Sequence, residues 1–118
     1  MSIREQAKLW LKQNHSADVT SKLRVSKYYP ERDIWFFTFP ATYFDSGNPG
    51  NLNILLQHEG DLDQFHYLKV PFSFFRDHQM KFDIRATGDK FDLHISAKRG
   101  NWLSCERSKG VSFREFEQ

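Results

Sequence analysis

The sequence predicts an α+β fold: a mainly antiparallel sheet of six or seven strands with an N-terminal helix and a short second helix. Three observations carry this. Apolar residues recur with helical spacing over the first fourteen positions, strand-length segments alternate or run apolar from Lys22 onward, and nothing in the chain divides it. At 118 residues it has the length of one domain, residues 1–118, able to bury roughly two thirds of its unfolded surface. Aromatics make up 16% of it, with twelve Phe. Large rings therefore dominate the expected core.

Ser2 followed by Glu5 forms a capping box, and Ile3, Ala7, Trp10 and Leu11 fall on one apolar helix face that ends near Asn14. Leu23 and Val25 alternate with Lys22, Arg24 and Ser26, a half-buried strand ending at Tyr28-Tyr29-Pro30. Ile34 to Phe39 is apolar at nearly every position, so a central strand covered on both faces is expected, and Pro40 ends it. Asp45-Ser46-Gly47-Asn48-Pro49-Gly50 is a surface loop by composition. Asn53 to Gln57 and Phe65 to Val70 read as two strands around the acidic turn His58 to Asp63. Pro71 suits the first turn of a helix through Phe72, Phe75 and Met80, with a buried loop as the alternative. Lys81 to Ala86 and Phe91 to Ser96 alternate strictly around Thr87-Gly88-Asp89-Lys90. Pairing Ala86 with Phe91 sets Ile84 against Leu93 and Phe82 against Ile95 in the core. It also sets Arg85 opposite Asp92 and Asp83 opposite His94 outside. A last strand is expected over Val111 to Phe116.

Charge is separated by region. Residues 33 to 66 hold five acids (Asp33, Asp45, Glu59, Asp61 and Asp63) and no Lys or Arg. Residues 1 to 32 carry seven bases against three acids, and residues 67 to 118 ten against seven. Such asymmetry bears on partners and not on fold. The single cysteine, Cys105, excludes an intrachain disulfide and fits a reducing compartment, so a cytoplasmic location is expected. The first residues lack an apolar signal region, and no apolar run approaches the roughly 20 residues of a membrane span. No membrane partner is expected.

Catalytic motifs are absent: there is no phosphate-binding glycine loop and no nucleophile elbow. Asp83, Asp92 and His94 have the spacing for a small acid/base or metal cluster, but Arg85 opposite Asp92 makes a neutralised surface network the better account. Glu59, Asp61 and Asp63 surround Gly60 in a turn, where polar residues belong in any case. The other histidines, His15, His58, His66 and His78, have neither mutual spacing nor a cysteine partner for zinc. No catalytic residue, metal or cofactor is assigned.

The element order helix, three strands, helix, strand resembles the core of restriction-endonuclease-like nucleases, with Asp33 and Glu59 near strand ends. That resemblance implies a metal-dependent nuclease. Gln57-His58-Glu59 supplies no lysine two residues after a carboxylate where that family places one, so such a site would be degenerate.

Two basic features remain. Arg4, Lys8 and Lys12 form a stripe along the first helix, and Lys98, Arg99, Arg107 and Lys109 bracket Trp102. Cations beside a stackable ring are what backbone-directed and single-stranded nucleic-acid recognition uses. The leading expectation is a small non-catalytic module associated with nucleic acid through these residues. One alternative is a protein-interaction or regulatory module, possibly homodimeric, that uses the acidic 33–66 region; the other is the degenerate nuclease-like domain. Whether the protein is an enzyme is left open by the sequence.

Overall fold

The computed structural model describes residues 2–16, 22–45, 47, 50–107 and 110–118. In chain order the elements are α1 (Ile3–His15), β1 (Leu23–Ser26), β2 (Tyr28–Tyr29), β3 (Ile34–Pro40), β4 (Asn51–Gln57), β5 (Phe65–Pro71), α2 (Phe72–Asp77), β6 (Asp83–Ile84) and β7 (Lys90–Ser96). The α+β class and both helices agree with the sequence reading; six of the expected strands form, the first of them divided at Lys27 into β1 and β2, and the one expected over Val111 to Phe116 does not. The strands divide into two sheets, however, where one was expected: β1-β4-β5 and β2-β3-β7-β6, antiparallel throughout except for the parallel pair β1 with β4. Ser46, Asn48 and Pro49 of the expected loop, and Lys109, lie outside the described residues.

A single residue, Lys27, carries the chain from the first sheet to the second. Such a crossing strands backbone groups, which must find other partners. The buried Ser26 hydroxyl accepts from Phe36 N and donates to Lys27 O, and the Gln57 side-chain carbonyl accepts from Tyr28 N.

The layers are α1, then the three-stranded sheet, then the four-stranded sheet. Alternation along β4 and β5 sends Leu55, Phe65 and Tyr67 to the helix side, where they meet Ala7, Leu11 and Leu23. Leu52, Ile54, Leu56, Leu68 and Val70 face the other way, onto Trp35, Phe37 and Phe39 of β3 and Phe91, Leu93 and Ile95 of β7. Phe75 of α2 closes the end of this core against the rings of Phe39, Phe72, Phe74, Phe82, Phe91 and Phe113. No helix among the described residues is long and apolar enough to cross a membrane.

Three expectations are corrected. β3 is central in its sheet, but Phe36 and Thr38 on its outer side are only half-buried. The β6–β7 register is shifted by two residues, with Asp83 opposite Asp92 and Ile84 opposite Phe91. Phe82 still reaches the core, but Ile84 is 38% exposed. The cause is competition for the β7 edge: the returning tail takes it, Ile95 bridging Cys105 and Glu106 N donating to His94 O, so β6 can pair only near the turn. Finally, Val111 to Phe116 is no strand; Ser112 makes one bridge to Ser104, and a 3₁₀ turn follows over Arg114–Phe116.

Candidate functional site

The basic residues singled out in the sequence that lie among the described residues fall on two sides of the molecule. On α1, Ser2 caps the helix by accepting from Glu5 N, and Arg4 Nη1 donates to Leu23 O at 3.0 Å; Lys8 is half-buried and Lys12 exposed. This helix covers one face of the three-stranded sheet. Trp102 lies across the opposite face, packed against His66 of β5 and Trp35 of β3. The helix stripe and the Trp102 loop therefore do not form one continuous surface. Within the loop, Lys98 pairs with Glu106 at 3.4 Å and Arg107 with Asp83 at 3.3 Å. Arg99 makes no ion pair among the described residues.

The β4–β5 hairpin builds the floor under Trp102. Its register sets Leu56 opposite His66, and with Phe65 and Tyr67 committed to the helix side, His66 must point the other way. His58 stands one step further along on that same side, diagonal to His66 across the hairpin, and the two rings stack at 5.0 Å. His66 Nε2 lies 2.8 Å from Glu59 Oε2, and its Nδ1 lies 3.5 Å from Glu117 Oε2. Glu117 is delivered by the C-terminus, which lines up on the β5 edge: Leu68 bridges Glu117, and Gln118 N donates to Tyr67 O at 2.9 Å. Trp35 and Trp102 close on His66 at 5.7 and 5.1 Å, each steeply tilted to it. Trp35 is itself fixed by donating to Gln57 O at 2.8 Å.

Above this floor opens a cleft of about 330 Å³ lined by Glu59, Ala97, Arg99, Trp102 and Arg114. That volume is at the low end of the roughly 300–1,000 Å³ typical of small-ligand sites. The backbone that presents Trp102 is unusual. A 3₁₀ turn over Arg99–Asn101 leads in, and the next residue, Leu103, takes φ 59° while fully buried. Leu103 N donates to Ser96 O and its carbonyl accepts from Phe113 N, both at 2.9 Å, so the left-handed conformation is held from both sides.

The ligand atoms of His58, Glu59 and His66 lie within 4.8 Å of one another, a spacing that a divalent ion can bridge. Their hydrogen bonds oppose it. His66 Nε2 is engaged with Glu59, and His58 Nδ1 accepts from both Gly60 N and Asp61 N at 3.0 Å. A metal on His58 Nε2 would need the proton on Nδ1, where two donors already point, and a metal on Nδ1 would displace both of them. The cluster is better suited to fixing the Glu59 carboxylate and the turn. The acidic trio of the turn is dispersed: Glu59 goes to His66, while Asp61 accepts from Asp63 N in an exposed loop.

Asp33, at φ 56° in the β2–β3 turn, accepts a short hydrogen bond from the Tyr28 hydroxyl. That bond, with burial and the negative charges of Asp33, Glu59 and Glu31, pushes the Tyr28 phenol up to about 12. On the outer face of the second sheet, Asp83 is held by Arg107 and Asp92 by Arg85 and Thr38. Burial works against the Asp92 charge, but the Arg85 and Thr38 hydrogen bonds prevail and its pKa is lowered. The like charges of Asp83 and Asp92, opposed across the strands, are thus each compensated. His94 is buried without the Asp83 partner expected for it, its Nδ1 has no hydrogen-bond partner among the described residues, and burial together with Arg107 and Arg32 holds it toward the neutral form.

Sequence reasoning missed Arg114, Glu117 and the pairing of His58 with His66. The histidine pair was accessible: once the turn is centred on residues 60 to 62, parity puts residues 58 and 66 on one face. Arg114 and Glu117 reach the site only through the return of the C-terminus, which no local pattern announces. No family model matches this chain, and no curated protein and no solved structure matches it.

Proposed function

We propose that the protein is a non-catalytic module that binds single-stranded nucleic acid in the cleft beside Trp102. The observation that carries this reading is the pairing of two guanidinium groups, Arg99 and Arg114, with an indole in one open cleft, neither arginine making an ion pair among the described residues. An indole offers a stacking surface to any base, and unpaired arginines beside it meet the phosphates on either side. Lys98 and Arg107 contribute less, because Glu106 and Asp83 already offset them. Arg4, Lys8 and Lys12 engage only a strand long enough to round the β5 edge.

Fluorescence anisotropy with short single-stranded DNA and RNA at low salt tests the reading. Binding in the micromolar range is expected, weakened by about 1–3 kcal/mol in Trp102→Ala with the salt dependence nearly unchanged, since stacking releases no counterions. Because Trp102 also packs on Trp35 and His66, thermal melting must first show that the variant is folded. Failure of the folded parent protein to bind any oligonucleotide would overturn the reading and leave the protein-interaction module as the better one.

A further inference from the structure

The cleft holds one group that a purely backbone-directed site does not need. Glu59 lines it together with Trp102, Arg99 and Arg114, and a carboxylate facing a polyanion is unfavourable unless it recognises something other than phosphate. Glu59 is also held in place. Its Oε2 receives the His66 Nε2 contact at 2.8 Å, and His66 is braced by Glu117, by the stacked His58 ring and by the rings of Trp35 and Trp102. The side chain of Glu59 remains 32% exposed, against 16% for His66, so the carboxylate faces outward while its support is covered.

An ionised carboxylate is acceptor-only, with two oxygens able to accept side by side. The base that suits it must offer two adjacent donors on its free edge. Guanine does so, through N1–H and the 2-amino group. Adenine and cytosine offer an amino group beside a ring nitrogen that is itself an acceptor, and thymine and uracil offer one N–H between two carbonyls that a carboxylate repels. Unstacked bases in single strands are read on this edge by side chains placed next to a stacking ring. Resting on the binding reading above, we infer that the cleft is guanine-selective, with Glu59 accepting from guanine N1–H and N2–H while the base stacks on Trp102 and the flanking phosphates meet Arg99 and Arg114. His66 is a positioning residue in this arrangement, acting through the Glu59 carboxylate.

Thymidine oligonucleotides with one central guanine, hypoxanthine, adenine or thymine, measured by anisotropy against the same protein, supply the test. A hydrogen bond to a charged acceptor is worth enough that guanine should bind about tenfold or more tighter than adenine, with hypoxanthine, which lacks the 2-amino donor, in between. Glu59→Gln should erase the preference yet leave binding of the all-thymine strand at least as tight, because it removes a negative charge near the phosphates. Equal affinity for guanine and adenine, or a preference that survives Glu59→Gln, would overturn the guanine assignment while leaving the binding reading intact. Absence of binding by every strand would overturn both. The hypoxanthine comparison needs no variant, so a misfolded Glu59→Gln protein would not remove the test.

Discussion

Replacing Arg99 and Arg114 together by alanine isolates the electrostatic part of the proposed interface. Both side chains are at the cleft and neither is ion-paired among the described residues, so each removed guanidinium should remove one phosphate contact. For single strands the slope of log K against log salt changes by about 0.7 per phosphate neutralised, so the double variant should be shallower by about 1.4. Between about 50 and about 200 mM salt that difference amounts to about sevenfold in the ratio of parent to variant affinities. Lys98→Ala and Arg107→Ala are the internal comparison. Glu106 and Asp83 lie 3.4 and 3.3 Å from those cations, so each of these variants should shift the slope far less than Arg99→Ala or Arg114→Ala does alone. All four positions are exposed, and surface ion pairs of this kind contribute little to folding, so stability does not confound the result. Anisotropy titrations at four or more salt concentrations read the slope directly. A double variant that keeps the parent slope, or Lys98→Ala and Arg107→Ala variants that reduce it as much as the cleft arginines do, would mean that Arg99 and Arg114 do not meet the phosphates.

Two predictions concern the fold beneath the site. Tyr28 should be among the last phenols to ionise, near a pH of about 12 instead of the usual 10, because ionisation costs the hydrogen bond to Asp33. A folded pKa raised above the unfolded one stabilises fully below pH 10, and that contribution is lost as pH rises toward 12; alkaline ultraviolet titration of the parent and Tyr28→Phe reads it, and an unchanged upper titration step in Tyr28→Phe would count against the assignment. Phe75 is fully buried among six other phenylalanine rings, and Phe75→Ala should cost about 3–5 kcal/mol in urea unfolding; a loss under about 1 kcal/mol would mean that α2 does not close the core.

What the sequence made legible was set by the range of the physics involved. The α1 cap and apolar face, the β3 run and the β4–β5 pair are governed by neighbours within a few residues, and each formed where periodicity placed it. The division into two sheets was not legible, because Lys27 carries no break signal and the crossing depends on Ser26 and Gln57 acting at a distance. The β6–β7 register failed for a related reason. Local pairing favoured Phe82 against Ile95, but Cys105, returning from the loop, takes the edge beside Ile95, and Phe82 turns instead onto the rings of Phe44, Phe75 and Phe91. Trp102 and Arg99 were singled out from the basic and aromatic composition of their segment, and both line the cleft. In the sequence Glu59 was weighed as a turn acid, as a metal ligand and as part of the acidic 33–66 region, but not as a partner of His66, because that link exists only once the hairpin is closed and the C-terminus has docked.

Two of the places where this chain breaks a local rule differ in what they imply for the proposed site. Asp83 facing Asp92 is a like-charge pair, but Arg107, Arg85 and Thr38 neutralise it, so it stores nothing. Leu103 is different: a non-glycine residue at φ 59° carries a cost on the order of 1–3 kcal/mol that only its surroundings can offset. Those surroundings are full burial of the leucine and two backbone hydrogen bonds, to Ser96 and from Phe113. The conformation reverses the chain immediately after Trp102, so the ring is aimed by a strained joint anchored in the core and not by a relaxed loop. Such a joint fixes the Trp102 ring against His66 in the wall of a cleft that Arg99 and Arg114, neither ion-paired among the described residues, also line, which is the placement that stacking with a base requires.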